Sequence, residues 1–278
     1  MSPRFQVVNA RLLNAGGNGD VFVGQRSDTG EYVVDKYLRE YHSEHARAAF
    51  RREVRVLRRN YRGLVRLLAS DTEGKHPHYV MPYLPGGCLT IHAGKLSETQ
   101  LLAVATDLAV ILADVHAKLD THGDVKPDNI LISHDGKLQV ADPLGSGINC
   151  TIVFAQNHGG TPGYWPPEIS AGGAVSCPGD VYSYGATLYH LATGKRPQDG
   201  QRLDVTLKNY SISPKITETI LACCQPTATA RPSMQEVLRI LRGERWVDIQ
   251  AAKQRVQGLL TAGCLVAGFF LFLVVLRD

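Results

Sequence analysis

The chain has 278 residues, of which 44% are hydrophobic and 20% are charged, an ordinary composition for a globular protein. Its formal net charge of +4 is too small to indicate a nucleic-acid partner without a concentrated basic surface. The six cysteines form no CxxC pair and have no zinc-like histidine spacing, so free thiols in a reducing compartment are expected. The composition therefore excludes a disulfide-stabilised secreted fold and allows one or two domains.

The N-terminal third of the chain changes from a strand pattern to a helical one. Residues 5–37 alternate apolar and polar side chains around Gly- and Asp-rich turns, which predicts an antiparallel meander. From 43 to 60 the apolar spacing is helical, and two short strand-like runs follow at 64–70 and 78–82. Arginines crowd the helix and the residues after it: Arg47, Arg51, Arg52, Arg55, Arg58, Arg59, Arg62 and Arg66. A solvated helix face is the simpler interpretation, and attraction to anionic lipid or to a phosphorylated partner is the alternative.

After Pro85-Gly86-Gly87 the pattern becomes largely helical. Ser97 is a typical N-cap for a strong helix, and Glu98 lies in its first turn. Further helical patterns cover roughly 180–193, 215–224 and 233–242. The sequence therefore predicts a small β-rich lobe, a Gly-containing hinge and a larger helical lobe, with a cleft that is a favoured ligand site.

The C-terminal segment 258–276 carries no charged side chain. A helix of that length spans about 28 Å, close to the hydrocarbon thickness of a bilayer, and a buried core helix is the less favoured alternative. Basic residues precede the segment at Arg242, Arg245, Lys253 and Arg255, whereas only Arg277 follows it. The positive-inside bias therefore predicts a single-pass membrane protein whose N-terminal part is cytoplasmic. A bacterial inner membrane is favoured over a eukaryotic tail-anchored location.

A glycine-rich turn and a lysine–glutamate pair form the first group of chemically informative residues. Small residues at 14–21 let backbone N–H groups close over phosphates, and the strand after them excludes a dinucleotide-binding fold. Lys36 ends the next strand and can neutralise phosphate oxygens. Glu53 lies on the apolar inward face of the predicted helix, where a carboxylate requires a cation, and Lys36 is the natural candidate.

The segment 122–132, HGDVKPDNILI, is the strongest chemical signal in the sequence. Asp124 supplies a proton acceptor, Lys126 a phosphate-neutralising cation and Asn129 a metal ligand, all in one loop before an apolar strand. Asp142 follows the next strand and adds a second hard oxygen ligand of the kind that Mg²⁺ prefers. A polar turn explains each residue singly, but it does not explain the ordered set.

On these motifs the chain resembles the eukaryotic-type (Hanks-type) serine/threonine protein kinases over about residues 5–243. The resemblance implies an α+β, bilobal protein-kinase fold, with the N-lobe at about 5–82, the hinge at 83–88 and the C-lobe at 89–243. It implies ATP and Mg²⁺, with Mn²⁺ as a substitute, as cofactors and protein hydroxyls as substrates. A juxtamembrane segment at 244–257 and a transmembrane helix at 258–276 complete the predicted organisation.

The resemblance also implies roles for individual residues. HGDVKPDN resembles the family's catalytic loop HRDLKPxN, which makes Asp124 the base and Lys126 the phosphate-neutralising lysine, while Asn129 and Asp142 bind metal. The nucleotide site comprises the glycine-rich loop, the lysine–glutamate pair, the gatekeeper position and the hinge: Asn14, Gly16, Gly19, Val21, Lys36, Glu53, Met81, Tyr83 and Leu84. Thr161 serves the substrate side, and Asp180 braces the catalytic loop. Glu168 and Arg231 pair with each other as a structural contact.

The chain departs from the family at two places. Gly123 replaces the arginine before the catalytic aspartate, which puts regulation by an activation-loop phosphate in doubt. Pro143 and Leu144 replace Phe and Gly after Asp142, and because proline restricts φ we predict a metal loop with less freedom to flip.

These departures leave two alternatives to an active protein kinase open. A nucleotide-binding pseudokinase scaffold at the membrane ranks second. A small-molecule kinase ranks third, because such enzymes usually lack the Lys-Pro pair, the stretch matching 160–168 and the Asp180 helix. Gly258xxxAla262 is a weak signal for a homodimer through the predicted span.

Overall fold

The computed structural model describes residues 5–16, 19–118, 120–144, 163–198 and 203–256, which form two lobes. The N-lobe elements are β1 (Val7–Gly16), β2 (Gly19–Arg26), β3 (Tyr32–Tyr37), α1 (Glu44–Arg58), β4 (Ala69–Asp71) and β5 (His78–Pro82). The strands form one antiparallel sheet in the order β1-β2-β3-β5-β4. The predicted meander and helix are confirmed, whereas the strand expected at 64–70 is reduced to the three residues of β4.

The alternation of side chains in β3 directs its functional residues into the cleft. Val34 and Lys36 lie on one face of the strand because successive side chains point to opposite faces. Val34 packs with Phe50 and Leu57 from α1, so the apolar face of that helix seals the sheet. Ser43 caps α1 by accepting a hydrogen bond from the backbone of Ala46. The helix is thereby held against the strand that carries Lys36.

The C-lobe is mainly helical and is built around two long helices. Its elements are α2 (Glu98–Ala117), β6 (Ile130–Ile132), β7 (Leu138–Val140), α3 (Pro167–Ser170), α4 (Cys177–Thr193), α5 (Leu203–Leu207), α6 (Pro214–Cys223) and α7 (Met234–Leu241). Ser97 and Gln100 form a capping box at the start of α2. Leu108, Leu112 and Leu188 are completely buried, and each such side chain contributes about 1.5–3 kcal/mol of burial free energy. The predicted α+β, two-lobed architecture is confirmed.

Helix α2 is long and apolar enough to cross a membrane by length and composition, and it is the only such helix among the described residues. Its burial in the C-lobe core accounts for its apolar character. The predicted span at 258–276 lies outside the described residues.

The segment that precedes the predicted span is helical at 246–256 and packs on the C-lobe. Ile249 is buried beside Ala222 and Ile240. The backbone N–H of Trp246 donates to Glu218 at 2.6 Å, and Lys253 forms a 2.9 Å ion pair with Glu236. These contacts make the segment part of the C-lobe surface.

Several arginines of the basic cluster bond to neighbouring groups of the fold. Arg47 donates to the carbonyls of Tyr41 and Gly74. Arg59, at the end of α1, reaches the C-lobe and bonds Asp120 at 2.8 Å. These contacts account for part of the cluster by local structure, and the attraction to anionic lipid stays a hypothesis.

Candidate active site

The cleft between the lobes brings together one lysine and two carboxylates from three separate elements. Lys36 of β3 lies 2.8 Å from Glu53 Oε1 of α1 and 2.9 Å from Asp142 Oδ1, which follows β7. The lysine side chain is only 3% exposed, so its ammonium group depends on these carboxylates for compensation. The predicted pairing of Lys36 with Glu53 is confirmed, and Asp142 joins the same cluster.

Burial and charge act in opposite directions on the pKa values of this cluster. Burial lowers the pKa of Lys36, but the charges of Asp142 and Glu53 outweigh burial and raise it overall. Burial raises the pKa of Glu53, and Lys36 only partly opposes this effect. For Asp142 the charge of Lys36 outweighs burial, so the pKa of this carboxyl is lowered. Lys36 and Asp142 are therefore ionised, while burial and the neighbouring Asp142 disfavour the charged form of Glu53.

The catalytic loop holds Asp124 in a fixed orientation. Its Oδ2 accepts hydrogen bonds from Lys126 Nζ and from Asn129 Nδ2, each at 2.7 Å. Asn129 Nδ2 also donates to the backbone carbonyl of Asp124 at 2.9 Å, because the one-turn 3₁₀ helix Pro127–Asn129 folds the chain back on itself. These bonds engage Oδ2 and leave Oδ1 as the oxygen that can accept a proton.

The buried carboxylate of Asp180, in α4, braces the backbone of this loop. It accepts from the N–H groups of His122 and Gly123, each at 2.7 Å, and from His116 Nε2 at 3.0 Å. His122 is completely buried, and burial lowers its pKa, which keeps the imidazole neutral. Its Nδ1 accepts from the backbone N–H of Asp124, and its Nε2 donates to the Ala141 carbonyl at 3.0 Å. The bracing contact expected of Asp180 is therefore present.

A second ion pair, at the base of the C-lobe, joins a buried arginine to a partly exposed glutamate. Arg231 and Glu168 form two parallel hydrogen bonds of 2.6 and 2.8 Å. The pairing predicted from the sequence is confirmed. Thr161, predicted for the substrate side, lies outside the described residues.

Comparison with known proteins identifies the family to which a chain with this active-site arrangement belongs. A family model described as the protein kinase domain matches residues 7–241. The chain belongs to the protein kinase family. The kinase is 32% identical over 212 residues to the serine/threonine-protein kinase pkn2 of Myxococcus xanthus, covering 71% of this chain and 25% of that protein.

Two other relatives agree with this classification. The kinase is 31% identical over 231 residues to the DNA damage-responsive serine/threonine-protein kinase RqkA of Deinococcus radiodurans, covering 79% of this chain and 34% of that protein. It is 32% identical over 250 residues to the serine/threonine-protein kinase PknL of Mycobacterium tuberculosis, covering 81% of this chain and 60% of that protein. The chain thus spans a quarter to about three-fifths of the length of these relatives. All three relatives are named as serine/threonine-protein kinases.

Membership in this family implies ATP and a divalent metal, and the donor atoms of the kinase fit such an ion. Asp142 offers a carboxylate, and Asn129 commits its nitrogen to Asp124, which leaves its amide oxygen for a cation. Carboxylate and amide oxygens are hard ligands suited to Mg²⁺. Asp142 has φ +58°, a left-handed backbone conformation that is uncommon for residues other than glycine. Such local strain is typical of residues held in place for function.

The wall of the kinase cleft is apolar and includes residues that the sequence patterns did not single out. Val34, Leu131 and Ala141 belong to one apolar cluster with three predicted nucleotide-site residues, namely Val21, Met81 and Leu84. The period of two in strands could have identified Val34, two residues before Lys36, and Leu131, two residues after Asn129. Tyr83 is 37% exposed at the hinge, and its N–H donates to Tyr32.

The glycine-rich turn of the kinase requires glycine at position 19, where β2 begins. Asn14 pairs with Val21 and Gly16 with Gly19 across β1 and β2, while residues 17 and 18 lie outside the described residues. Gly19 has φ +150°, and a Cβ atom there would lie 2.4 Å from the carbonyl oxygen of Tyr37. No side chain fits that approach, so the first residue of β2 must be glycine.

The two departures of the kinase from its family are adjacent in space. Gly123 has φ +86°, and a Cβ atom there would lie 2.8 Å from Val175 Cγ1 and 3.1 Å from Leu144 Cβ. Leu144 packs with Val175 and Ile169, and its N–H donates to the His122 carbonyl at 2.6 Å. Leu144 and Val175 thus occupy the space beside Gly123, and an arginine there would collide with both. The small residue at 123 thus allows Leu144 to pack against Val175 beside the catalytic loop.

Proposed function

We propose that the chain is an ATP-dependent serine/threonine protein kinase that transfers the γ-phosphoryl group to protein hydroxyls. The observation that carries this proposal is the fixed Asp124 carboxylate, whose Oδ2 is engaged by Lys126 and Asn129 at 2.7 Å. The cluster of Lys36, Glu53 and Asp142 supports it, because it places a buried cation and a metal-binding carboxylate in the same cleft.

The residues divide the reaction into positioning and proton transfer. Lys36 donates to the nucleotide phosphates, and the apolar wall with Val21 and Leu131 holds the adenine. Asp124 Oδ1 accepts the proton of the substrate hydroxyl while the hydroxyl oxygen forms a bond to the γ-phosphorus. The bond between the γ-phosphorus and ADP breaks, and ADP leaves with its electron pair. Lys126, 2.7 Å from Asp124, neutralises charge on the transferred group. Asn129 and Asp142 would hold Mg²⁺, or Mn²⁺ in its place, and a bound divalent ion would supply positive charge to neutralise the nucleotide phosphates.

Asp124→Asn tests this proposal on the full chain in detergent. We expect phosphate transfer to itself or to a generic serine/threonine substrate to fall by at least about 100-fold, the usual contribution of a general base. Binding of Mg²⁺–ATP should be retained, because Asn preserves the shape of the loop. Nucleotide binding without any Asp124-dependent transfer in the wild type would favour the pseudokinase alternative and overturn the proposal.

We also propose that residues 258–276 anchor the kinase in a membrane, with a bacterial inner membrane favoured and the kinase domain cytoplasmic. The uncharged composition of 258–276 supports this proposal. Phe270→Arg should move the chain from the membrane fraction to the soluble fraction, because a charge at mid-span is costly. Phe5→Arg, outside the span, is the control for a general effect of charge. Unchanged membrane partition of Phe270→Arg would exclude the anchor.

A further inference from the structure

A buried tyrosine completes the polar cluster of the cleft. Tyr79 of β5 is completely buried, and its hydroxyl lies 2.6 Å from Glu53 Oε1 and 3.3 Å from Asp142 Oδ1. These are the same two carboxylate oxygens that Lys36 contacts at 2.8 and 2.9 Å. The phenol has a single hydrogen, and the shorter distance assigns it to Glu53, whereas the ammonium can donate to both oxygens.

The position of Tyr79 follows from the sheet register. Lys36 and Tyr79 are directly opposite each other in the antiparallel pair of β3 and β5, so their side chains lie on the same face. The tyrosine ring packs against Phe50 of α1 at 5.4 Å between centroids. This packing fixes the ring, and the fixed ring fixes the direction of the hydroxyl.

We propose that Tyr79 is a positioning residue that holds Glu53 by a hydrogen bond, so that Lys36 can keep both carboxylates and still bind nucleotide phosphates. An ammonium has three hydrogens, so Lys36 can keep both carboxylates and still give one hydrogen to a phosphate oxygen. Two carboxylates on one cation repel each other, and the phenol supplies the additional donor that Glu53 needs when it is buried. This inference rests on the proposed function of the cleft.

Without the hydroxyl, Glu53 keeps Lys36 as its donor in this cluster and draws the ammonium toward itself. The lysine is then displaced from the place where it meets a phosphate oxygen. The predicted consequence is a loss of nucleotide affinity, whereas affinity for the protein substrate does not depend on this cluster.

Tyr79→Phe tests the proposal, because Phe keeps the ring contact with Phe50 and removes only the hydroxyl. Calorimetric titration of the full chain in detergent with AMP-PNP and Mg²⁺ should show roughly tenfold weaker binding, the scale of one hydrogen bond to a charged group. Tyr184→Phe is the matched control, since it removes another buried phenol whose hydroxyl bonds the Ala105 carbonyl at 2.9 Å. That control should bind AMP-PNP within about twofold of the wild type.

A double-mutant cycle separates positioning from packing. If the hydroxyl acts through Glu53, then Tyr79→Phe should weaken binding by less than about twofold when Glu53→Gln is already present. Wild-type affinity in Tyr79→Phe, or an undiminished effect in the Glu53→Gln background, would overturn the proposal. Phosphate transfer does not enter the measurement, so a chain that binds nucleotide without transferring phosphate would count against the proposed function alone.

Discussion

Two buried cations, Lys36 in the cleft and Arg231 at the base of the C-lobe, each meet carboxyl groups, but the two arrangements differ. Lys36 in the cleft shares its single charge between Glu53 and Asp142. Arg231 at the base meets one carboxylate, Glu168, through two parallel bonds. The arginine also donates to three backbone carbonyls, those of Pro178, Gln225 and Pro226. The pair of Arg231 and Glu168 matches one cation with one carboxyl group, whereas the cleft places two carboxyl groups on one cation.

The pKa values record this difference. Burial raises the pKa of Glu53, and the neighbouring Asp142 adds to that effect. Burial also raises the pKa of Glu168, but the hydrogen bond to Arg231, a backbone hydrogen bond and the charge of Arg231 together outweigh burial and lower it. A site that must take up a metal and a nucleotide keeps unsatisfied charge, and a structural clamp satisfies all of its charge internally. The excess charge of the cleft is thus a mark of function.

Arg231→Met should produce the largest effect on stability. It leaves the partly exposed Glu168 without its cation and three backbone carbonyls without this donor, so the free energy of unfolding should fall by about 1.5–3 kcal/mol. Urea denaturation measures this change. Affinity for AMP-PNP in the folded fraction should stay within about twofold of the wild type. A loss below about 1 kcal/mol would show that the ion pair of Arg231 and Glu168 is not the structural clamp described above.

Neutral isosteres of the two glutamates should shift stability in different directions. Glu168→Gln removes a carboxylate whose charged form the fold favours, so the free energy of unfolding should fall by about 1–2 kcal/mol. Glu53→Gln leaves one cation facing one carboxylate, so stability should stay equal or rise, although nucleotide affinity falls. Paired urea denaturation curves of the two variants measure the contrast, and equal losses in both would contradict it.

The smallest expected effect is the pH dependence of the stability that the Arg231–Glu168 ion pair contributes. The pKa of Glu168 is below its ordinary value of 4.5 in the folded state, so the unfolded chain binds more protons as the pH falls. The stability that Glu168 contributes is therefore fully present above about pH 4.5 and is lost as the pH falls through the folded pKa. Between about pH 6 and pH 3.5 the melting temperature of Glu168→Gln should fall less than that of the wild type. Parallel curves would show that this carboxyl contributes nothing to acid sensitivity.

The sequence by itself determined the elements and the identity of most polar site residues. The helix that begins after Ser97 and the helix at 233–242 follow from caps and apolar spacing, which act within a few residues of the chain. The loop with Asp124, Lys126 and Asn129 was identifiable because one short segment supplies all three groups. The pairing of Lys36 with Glu53 could be predicted although the two residues are far apart in the sequence, because a buried carboxylate needs a cation nearby.

Only the tertiary structure decided which distant residues share the site. Tyr79 meets Glu53 and Asp142 because a sheet register and a helix contact bring three elements together. Leu144 and Val175 fill the space beside Gly123 in the same way, and the helix at 246–256 packs beneath α7 through Ile249. Local patterns report forces between neighbours in the chain, and these contacts join residues that are far apart in sequence, so their energies exist only once the chain has folded.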